Sequence, residues 1–452
     1  MNQENMTKRN EGSTKKYLIY GLPNLSTAII MGFADFALFT LYKLGYQLNA
    51  FQIGVALALG KLTIAGSQFF FGWVSDSKYT KWGRRKPYLI ILSPILSLSF
   101  LFLLLPGLII DISNLNSIFI WLLVWNIIFN LSYGVTTPYG SWMAEQFSVD
   151  ERPSVSQYYN IFAFVGSAIM SIFSFIVLTE SVTTIRTNPN NIPPELLYSV
   201  IIFSILPVLL FYLAAFLMPT EPHFKIESKM MDNLKVILKN KNFILVTLMQ
   251  GIASIAFIMI GQTILQFTVV VLQFENTDYY IVAGLMMFGI LGFITLWRKL
   301  IQKLGKKRSL LYIFITAIIF LPSTLFGALP MDSYLLYGIL FVFGLAASLG
   351  GWNLLPSIIY ADIAEDDQKT TGELKAGIYT GFPSIILNIF QALGLFLMGI
   401  ILELPNMGLD YSIGYVIWGP VSSLVLICAY LFTRKFIKLD FEWEKWEKAQ
   451  IE

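Results

Sequence analysis

Asp35 and Lys61 are the two charged residues that stand well inside the long apolar runs of this 452-residue chain. A charge at the centre of a bilayer costs about 2.5–3.5 kcal/mol on insertion scales, so such residues face a polar cavity or one another and mark function. Asp35 lies 9 residues from Leu44 and Lys61 lies 10 from Phe51, the outer ends of their runs. At about 1.5 Å per residue both are roughly 14–15 Å deep. Opposite charges at equal depth on adjacent helices are expected to pair. The pair is either a switchable site or a fixed ion pair that sets one helix against the next. An acid that stays ionised beside a cation and takes up a proton when the cation withdraws can couple protons to movement.

Uncharged polar side chains surround that pair in the sequence. Asn24, Gln68, Asn126, Asn130, Tyr133, Thr136 and Thr137 lie in the first half of the chain, and Gln250, Gln262, Gln266, Trp352, Asn353, Asn388 and Gln391 in the second. An aromatic ring that stacks on an apolar face, with amides for hydroxyls, suits a hydroxylated ring such as a glycoside. The same residues also serve as interhelical hydrogen bonds. The candidate coupling and substrate residues are Asp35, Lys61, Gln68, Asn126, Asn130, Thr136, Trp352, Asn353, Asn388 and Gln391. A second group, Asp76, Arg84, Arg85, Glu145, Arg152 and Asp362, lies where runs end. Arg152 can reach Glu145, or Asp362 in the matching loop of the other half. Pairs of this kind form a cytoplasmic gate that closes in one state and breaks in the other; the plainer reading is anchoring and solvated loop charge.

The elements that position these groups follow from composition. Hydrophobic residues make up 56% of the chain and charged residues 13%, about half the charged share of soluble domains. The apolar residues come in runs long enough to cross a bilayer as helix, and lipid offers the backbone no partner, so each run is α-helical. Twelve spans are expected. The first six are Leu18–Leu44, Phe51–Trp73, Tyr88–Ile110, Ser117–Thr137, Tyr158–Leu178 and Leu196–Leu217. The second six are Phe243–Leu272, Tyr279–Trp297, Leu310–Leu329, Tyr334–Leu354, Gly377–Leu402 and Tyr411–Phe432. With the N-terminus in the cytoplasm, every Lys and Arg of the 31 except Lys43, Lys61 and Arg186 falls at a cytoplasmic position, so both termini are expected inside. The polar segment before the first span lacks a secretory core and cleavage site, which leaves that span as the insertion signal. In the tail, Trp443 and Trp446 suit the interface.

The chain also repeats itself. Trp82-Gly83-Arg84-Arg85-Lys86 is echoed by Leu304-Gly305-Lys306-Lys307-Arg308, with the glycines 222 residues apart; Pro138…Ala144-Glu145 is echoed by Pro356…Ala361-Asp362, with the acids 217 apart. Two unrelated motifs with nearly one period argue for a duplicated six-helix unit. The expected organisation is an N-tail (1–17), a six-helix half (18–218), a cytoplasmic linker (219–242), a second six-helix half (243–432) and a cytoplasmic tail (433–452). Parallel halves joined this way are the layout of major-facilitator transporters.

Three segments carry a closer resemblance. Gly72-Trp73-Val74-Ser75-Asp76 through Lys78 and Lys81 to Gly83-Arg84-Arg85-Lys86-Pro87-Tyr88 resembles the loop 2–3 signature of the glycoside–pentoside–hexuronide:cation symporters, the melibiose-carrier family, and that of the sucrose carriers. Pro138-Tyr139-Gly140-Ser141-Trp142-Met143-Ala144-Glu145, with Asp150-Glu151-Arg152, is similar to the family's loop 4–5. Ala361-Asp362-Ile363-Ala364-Glu365-Asp366, then Gly372 and Gly377-Ile378-Tyr379, is similar to its loop 10–11. The resemblance implies the major facilitator fold, an all-α membrane protein of twelve transmembrane helices in two halves, and a symporter of sugars or glycosides. It fails at the family's cation site. The span 2 carboxylate positions hold Ile64 and Gln68, the span 4 position holds Thr136, and the span 11 lysine falls at Asn388. A Na⁺ site is therefore not carried over, and Asp35 is left as the embedded acid, comparable to the span 1 acid of the sucrose carriers.

A single cysteine, Cys428, and a single histidine, His223 in the linker, exclude a disulfide framework and a thiolate or histidine metal cluster. No cofactor, no nucleic-acid partner and no nucleotide-binding motif is expected, which leaves ATP drive without a basis. No nucleophile–base pair lies in the spans, so an enzyme is disfavoured. The expected partners are a small-molecule solute, sugar or glycoside, a coupling proton and the lipid bilayer, with the carrier a monomer of the plasma membrane. Open alternatives are a lysolipid-like amphiphile as cargo, an uncoupled facilitator, and a sensor that keeps the carrier fold; the last would need an output domain larger than the short tail.

Overall fold

The computed structural model describes residues 14–77, 79–148, 151–188, 191–220, 238–274, 276–331, 333–371 and 376–439. Lys78, Asp150, His223, Gly372, Trp443 and Trp446 lie outside the described residues, as do the side chains of Asp76, Ala144, Ala361, Ala364, Gly377, Ile378 and Tyr379. Among the described residues there is no β-strand, only an isolated bridge between Thr80 and Gly83.

Twelve helices are long and apolar enough to cross a membrane. They are α1 (Thr14–Phe36), α2 (Ala50–Ser75), α3 (Lys86–Leu104), α4 (Leu115–Met143), α5 (Ser154–Thr187), α6 (Pro194–Leu217), α7 (Lys241–Val270), α8 (Thr277–Leu304), α9 (Lys306–Ala328), α10 (Leu335–Asp367), α11 (Phe382–Leu402) and α12 (Gly414–Phe436). Every expected span is present. α4 and α10 run well past the apolar stretches that announced them, because a helix that leaves lipid keeps its backbone ladder while its side chains turn polar. α1 stops earlier than expected. After Phe36 the chain passes through a short turn of helix, Leu38–Thr40, and a π-helical turn, Leu41–Gly45. Asp35 thus sits in the last turn of the regular helix.

The chain divides into two compact units: an N-terminal unit of Met1–Leu48 and Thr63–Ser228, and a C-terminal unit of Asn49–Leu62 and Lys229–Glu452. The division falls inside α2. In the N-terminal unit, α1 meets α4 and α5: Tyr20 donates to the Tyr139 carbonyl at 2.9 Å, Tyr139 donates back to the Tyr20 carbonyl, and Asn24 Nδ2 donates to the Tyr159 carbonyl at 3.0 Å. α4 tightens to a 3-10 turn at Tyr133–Val135. Pro138 lacks the N–H that would bond the carbonyl of Gly134, so the ladder has no α-helical bond to make there. In the C-terminal unit most of α7 is buried. The Trp297 indole donates to the Ala347 carbonyl at 2.7 Å, tying α8 to α10, and Thr324 Oγ1 donates to the Val416 carbonyl at 2.6 Å, tying α9 to α12.

The two glycines of the echoed basic motifs share a backbone conformation. Gly83 has φ 100° and Gly305 φ 83°, the left-handed region that only glycine enters without strain. Each therefore marks the same sharp re-entry from one helix into the next.

Candidate functional site

At the first re-entry, Glu145, in the helical turn that continues α4 as far as Gln146, collects two guanidinium groups. Arg85 approaches its Oε1 with Nη2 at 2.7 Å and Nε at 3.0 Å, and Arg84 Nη2 reaches the same oxygen. Arg85 also donates from Nη1 to Ser75 Oγ at 2.6 Å, which fixes the fork against α2. The Arg85 and Glu145 side chains are 4% and 9% exposed. At the second re-entry, Lys306 Nζ lies 2.6 Å from Asp362 Oδ2. The motif thus folds twice into one device: a glycine turn that aims a cation at the acid on the fourth helix of the repeat.

Arg152 donates from Nε to the Phe147 carbonyl at 3.4 Å, Glu145 is held by Arg84 and Arg85, and Asp362 is bonded by Lys306. Lys306 was visible only as part of the echo, and that echo was the signal that could have named it. Around Arg152, Lys16 Nζ donates to the Gln146 carbonyl at 2.6 Å and lies 4.6 Å from the Phe147 ring centre. Tyr17 donates to Glu151 Oε1 at 3.2 Å. Ser148 donates to Glu151 Oε2 from its N–H at 3.0 Å and from its hydroxyl at 2.9 Å. These bonds hold the Glu151 carboxyl below its ordinary value, the Ser148 N–H contributing most.

Deeper in the N-terminal unit, Asp35 is half-buried on α1, and Tyr133 on α4 lies within electrostatic reach of both Asp35 and Tyr159. Neither phenol hydroxyl has a hydrogen-bond partner among the described residues. Tyr159 was not singled out in the sequence, where it lies near the start of the span Tyr158–Leu178. Asn126 and Asn130 bond each other within α4, Asn130 Nδ2 to Asn126 Oδ1 at 2.9 Å and to its carbonyl at 2.8 Å. Thr136 Oγ1 donates to the Tyr133 carbonyl at 2.9 Å. These three side chains bond within their own helix. Gln68, half-buried on α2, keeps an unpartnered Oε1 among the described residues.

In the C-terminal unit, Lys61 on α2 is 7% exposed. Trp352 on α10 stacks on Phe257 of α7, with ring centres 4.4 Å apart and planes 13° apart, and its indole N–H has no partner among the described residues. Gln250, two helical turns before Phe257 on α7, is buried with its Oε1 unpartnered among the described residues. Asn388 Nδ2 donates to the Ser384 carbonyl at 2.8 Å within α11; Gln391 is half-buried and Asn353 exposed. No cluster of three or more metal-ligating side chains occurs among the described residues.

A family model described as MFS/sugar transport protein matches residues 19–431. The chain belongs to that family. Its members are transporters, and this chain is accordingly a multi-pass integral membrane protein with the major facilitator fold. No curated protein matches the sequence. Among solved structures, the chain is similar to a D-xylose–proton symporter, with TM-score 0.68 and 13% identity over 94% of this chain and 97% of the other. It is also similar to the xylose transporter XylE from E. coli in an inward open conformation, with TM-score 0.64 and 14% identity over 96% and 97%. The nucleoside transporter NupG matches with TM-score 0.61 and 16% identity over 93% and 99%. At these identities the likeness establishes the fold.

Proposed function

We propose that this carrier moves a small hydroxylated solute, a sugar or glycoside, by alternating access, with Asp35 as the group that takes up and releases the coupling proton. The observation that carries the reading is the embedded acid: Asp35 is half-buried in the last turn of α1, within electrostatic reach of Tyr133, and no carboxylate occupies the positions of Ile64, Gln68 and Thr136 from which a Na⁺ cage would be built. A hard cation needs carboxylate or carbonyl oxygens to replace its water, whereas a proton needs one titratable group whose surroundings alternate. Within the C-terminal unit, Trp352 and Gln250 offer the solute a ring face and an open amide. The charges at 84, 85, 145, 152, 306 and 362 work on the cytoplasmic side, with both termini in the cytoplasm and the monomer in the plasma membrane.

The test is uptake by reconstituted vesicles of labelled pentoses, hexoses, disaccharides and nucleosides, with one gradient imposed at a time. An inward proton gradient is expected to accelerate uptake of one class, and Asp35→Asn to abolish that acceleration. Uptake accelerated by an inward Na⁺ gradient at fixed pH and fixed membrane potential would refute the reading, and uptake indifferent to both gradients would identify an uncoupled facilitator.

A further inference from the structure

The echoed basic motif is used differently in the two units. In the N-terminal unit all three of its cations are engaged: Arg84 and Arg85 on Glu145, and Lys86, whose Nζ donates to the Met218 carbonyl just past α6 at 2.7 Å. In the C-terminal unit Lys306 is bonded to Asp362, and Lys307 Nζ donates to the Arg434 carbonyl at 3.3 Å. Arg308 is left exposed.

The Lys307 bond draws the start of α9 to the end of α12. A second bond draws the start of α7 to the same place: Asn242 Nδ2 donates to the Lys438 carbonyl at 3.1 Å. Ile437 and, one position past Lys438, Leu439 are buried. The backbone from Arg434 to Lys438 is thus pinned while its charged side chains stand out. Arg434, Lys435 and Lys438 are exposed there, as are Lys239 and Lys241 at the start of α7. With Arg308 they make six cations, none in an ion pair among the described residues. Glu365, Asp366 and Asp367, which follow Asp362 on α10, pair with none of the six. α7 and α9 both begin here, so the positive ends of two helices add to the field.

These charges stand at the ends of helices that cross the membrane, the depth of the phospholipid headgroups. Phe436 is 45% exposed beside them, with Lys435 Nζ 5.2 Å from its ring centre, and Leu238 is 46% exposed. A cation next to an exposed apolar side chain fits an amphiphile whose phosphate meets water and whose chains lie in the membrane. An acidic soluble peptide would match the charge but leave those apolar side chains in water. We propose that the start of α7, the start of α9 and the end of α12 form a binding site for the headgroup of an anionic phospholipid, carried by these six cations. The site is independent of the cargo and of the coupling proton, so its failure would leave the transport reading untouched.

Native mass spectrometry of the full chain in detergent, with phosphatidylglycerol or phosphatidylcholine added at equal concentration, counts the lipid retained. The parent should hold phosphatidylglycerol about tenfold more tightly than phosphatidylcholine, and the preference should shrink as salt rises. Arg434→Gln with Lys435→Gln should lose most of it. Arg434→Lys with Lys435→Arg, which keeps both charges, should retain it, and thermal unfolding would confirm that each variant is folded. Lys15→Gln with Lys81→Gln removes the same charge from exposed cations of the N-terminal unit and should leave the preference within about twofold of the parent. Equal retention of the two lipids by the parent, or equal loss in the two charge-removing variants, overturns the site. A preference that emerges only when the acidic segment 440–452, with Asp440, Glu442, Glu444 and Glu447, is removed would make that segment the occupant and overturn it as well.

Discussion

Asp35 carries the chemistry proposed at the scale of single residues. Asp35→Asn should remove the acceleration of uptake by a proton gradient while thermal unfolding stays within about 1 kcal/mol of the parent, and an acceleration that survives the change would take Asp35 out of the coupling. Glu151 provides a second residue-level outcome. Its carboxyl is held below the ordinary value by Ser148, so its contribution to folding is complete above that ordinary value and is lost as pH falls through the lowered one. Thermal stability in detergent should therefore decline at acid pH more steeply for the parent than for Glu151→Gln, and equal slopes would show that the Ser148 and Tyr17 bonds do not matter to folding.

The repeated re-entry device permits a comparison between elements. Glu145 holds two guanidiniums with side chains almost sealed from solvent, whereas the Lys306 and Asp362 side chains of the second bridge are 19% and 13% exposed. Glu145→Ala should lower stability by about 3–5 kcal/mol, and Asp362→Ala by roughly 1–2 kcal/mol. Equal losses in chemical or thermal unfolding would mean that exposure does not separate the two. This device was half legible in the sequence. The glycines, cations and acids could be found because the motif occurs twice, but the bonds of Arg84 and Arg85 to Glu145 could not, because they depend on the turn at Gly83. The helix ends show the same limit. Hydropathy registers lipid rather than the hydrogen-bond ladder, so the polar turns that carry Glu145 and Asp362 on α4 and α10 lay beyond the apolar runs.

For the whole molecule, twelve helices and the multi-pass architecture could be read from composition because lipid leaves the backbone a single solution. The division inside α2 could not be read, since it depends on Gly54 meeting the Gly399 backbone and the Ala50 N–H meeting Glu403, and no periodicity records a meeting between residues so far apart. That separation has a consequence for how the protein is made. At translation rates of about 5–20 residues per second, Glu403 leaves the ribosome roughly 20–70 s after Ala50. Throughout that interval the Ala50 N–H lacks its Glu403 acceptor and Gly54 lacks the Gly399 backbone it meets in the folded chain. A nascent chain that stalls before the eleventh helix therefore presents quality control with a helix whose Ala50 N–H and Gly54 face still await the partners they have in the folded chain.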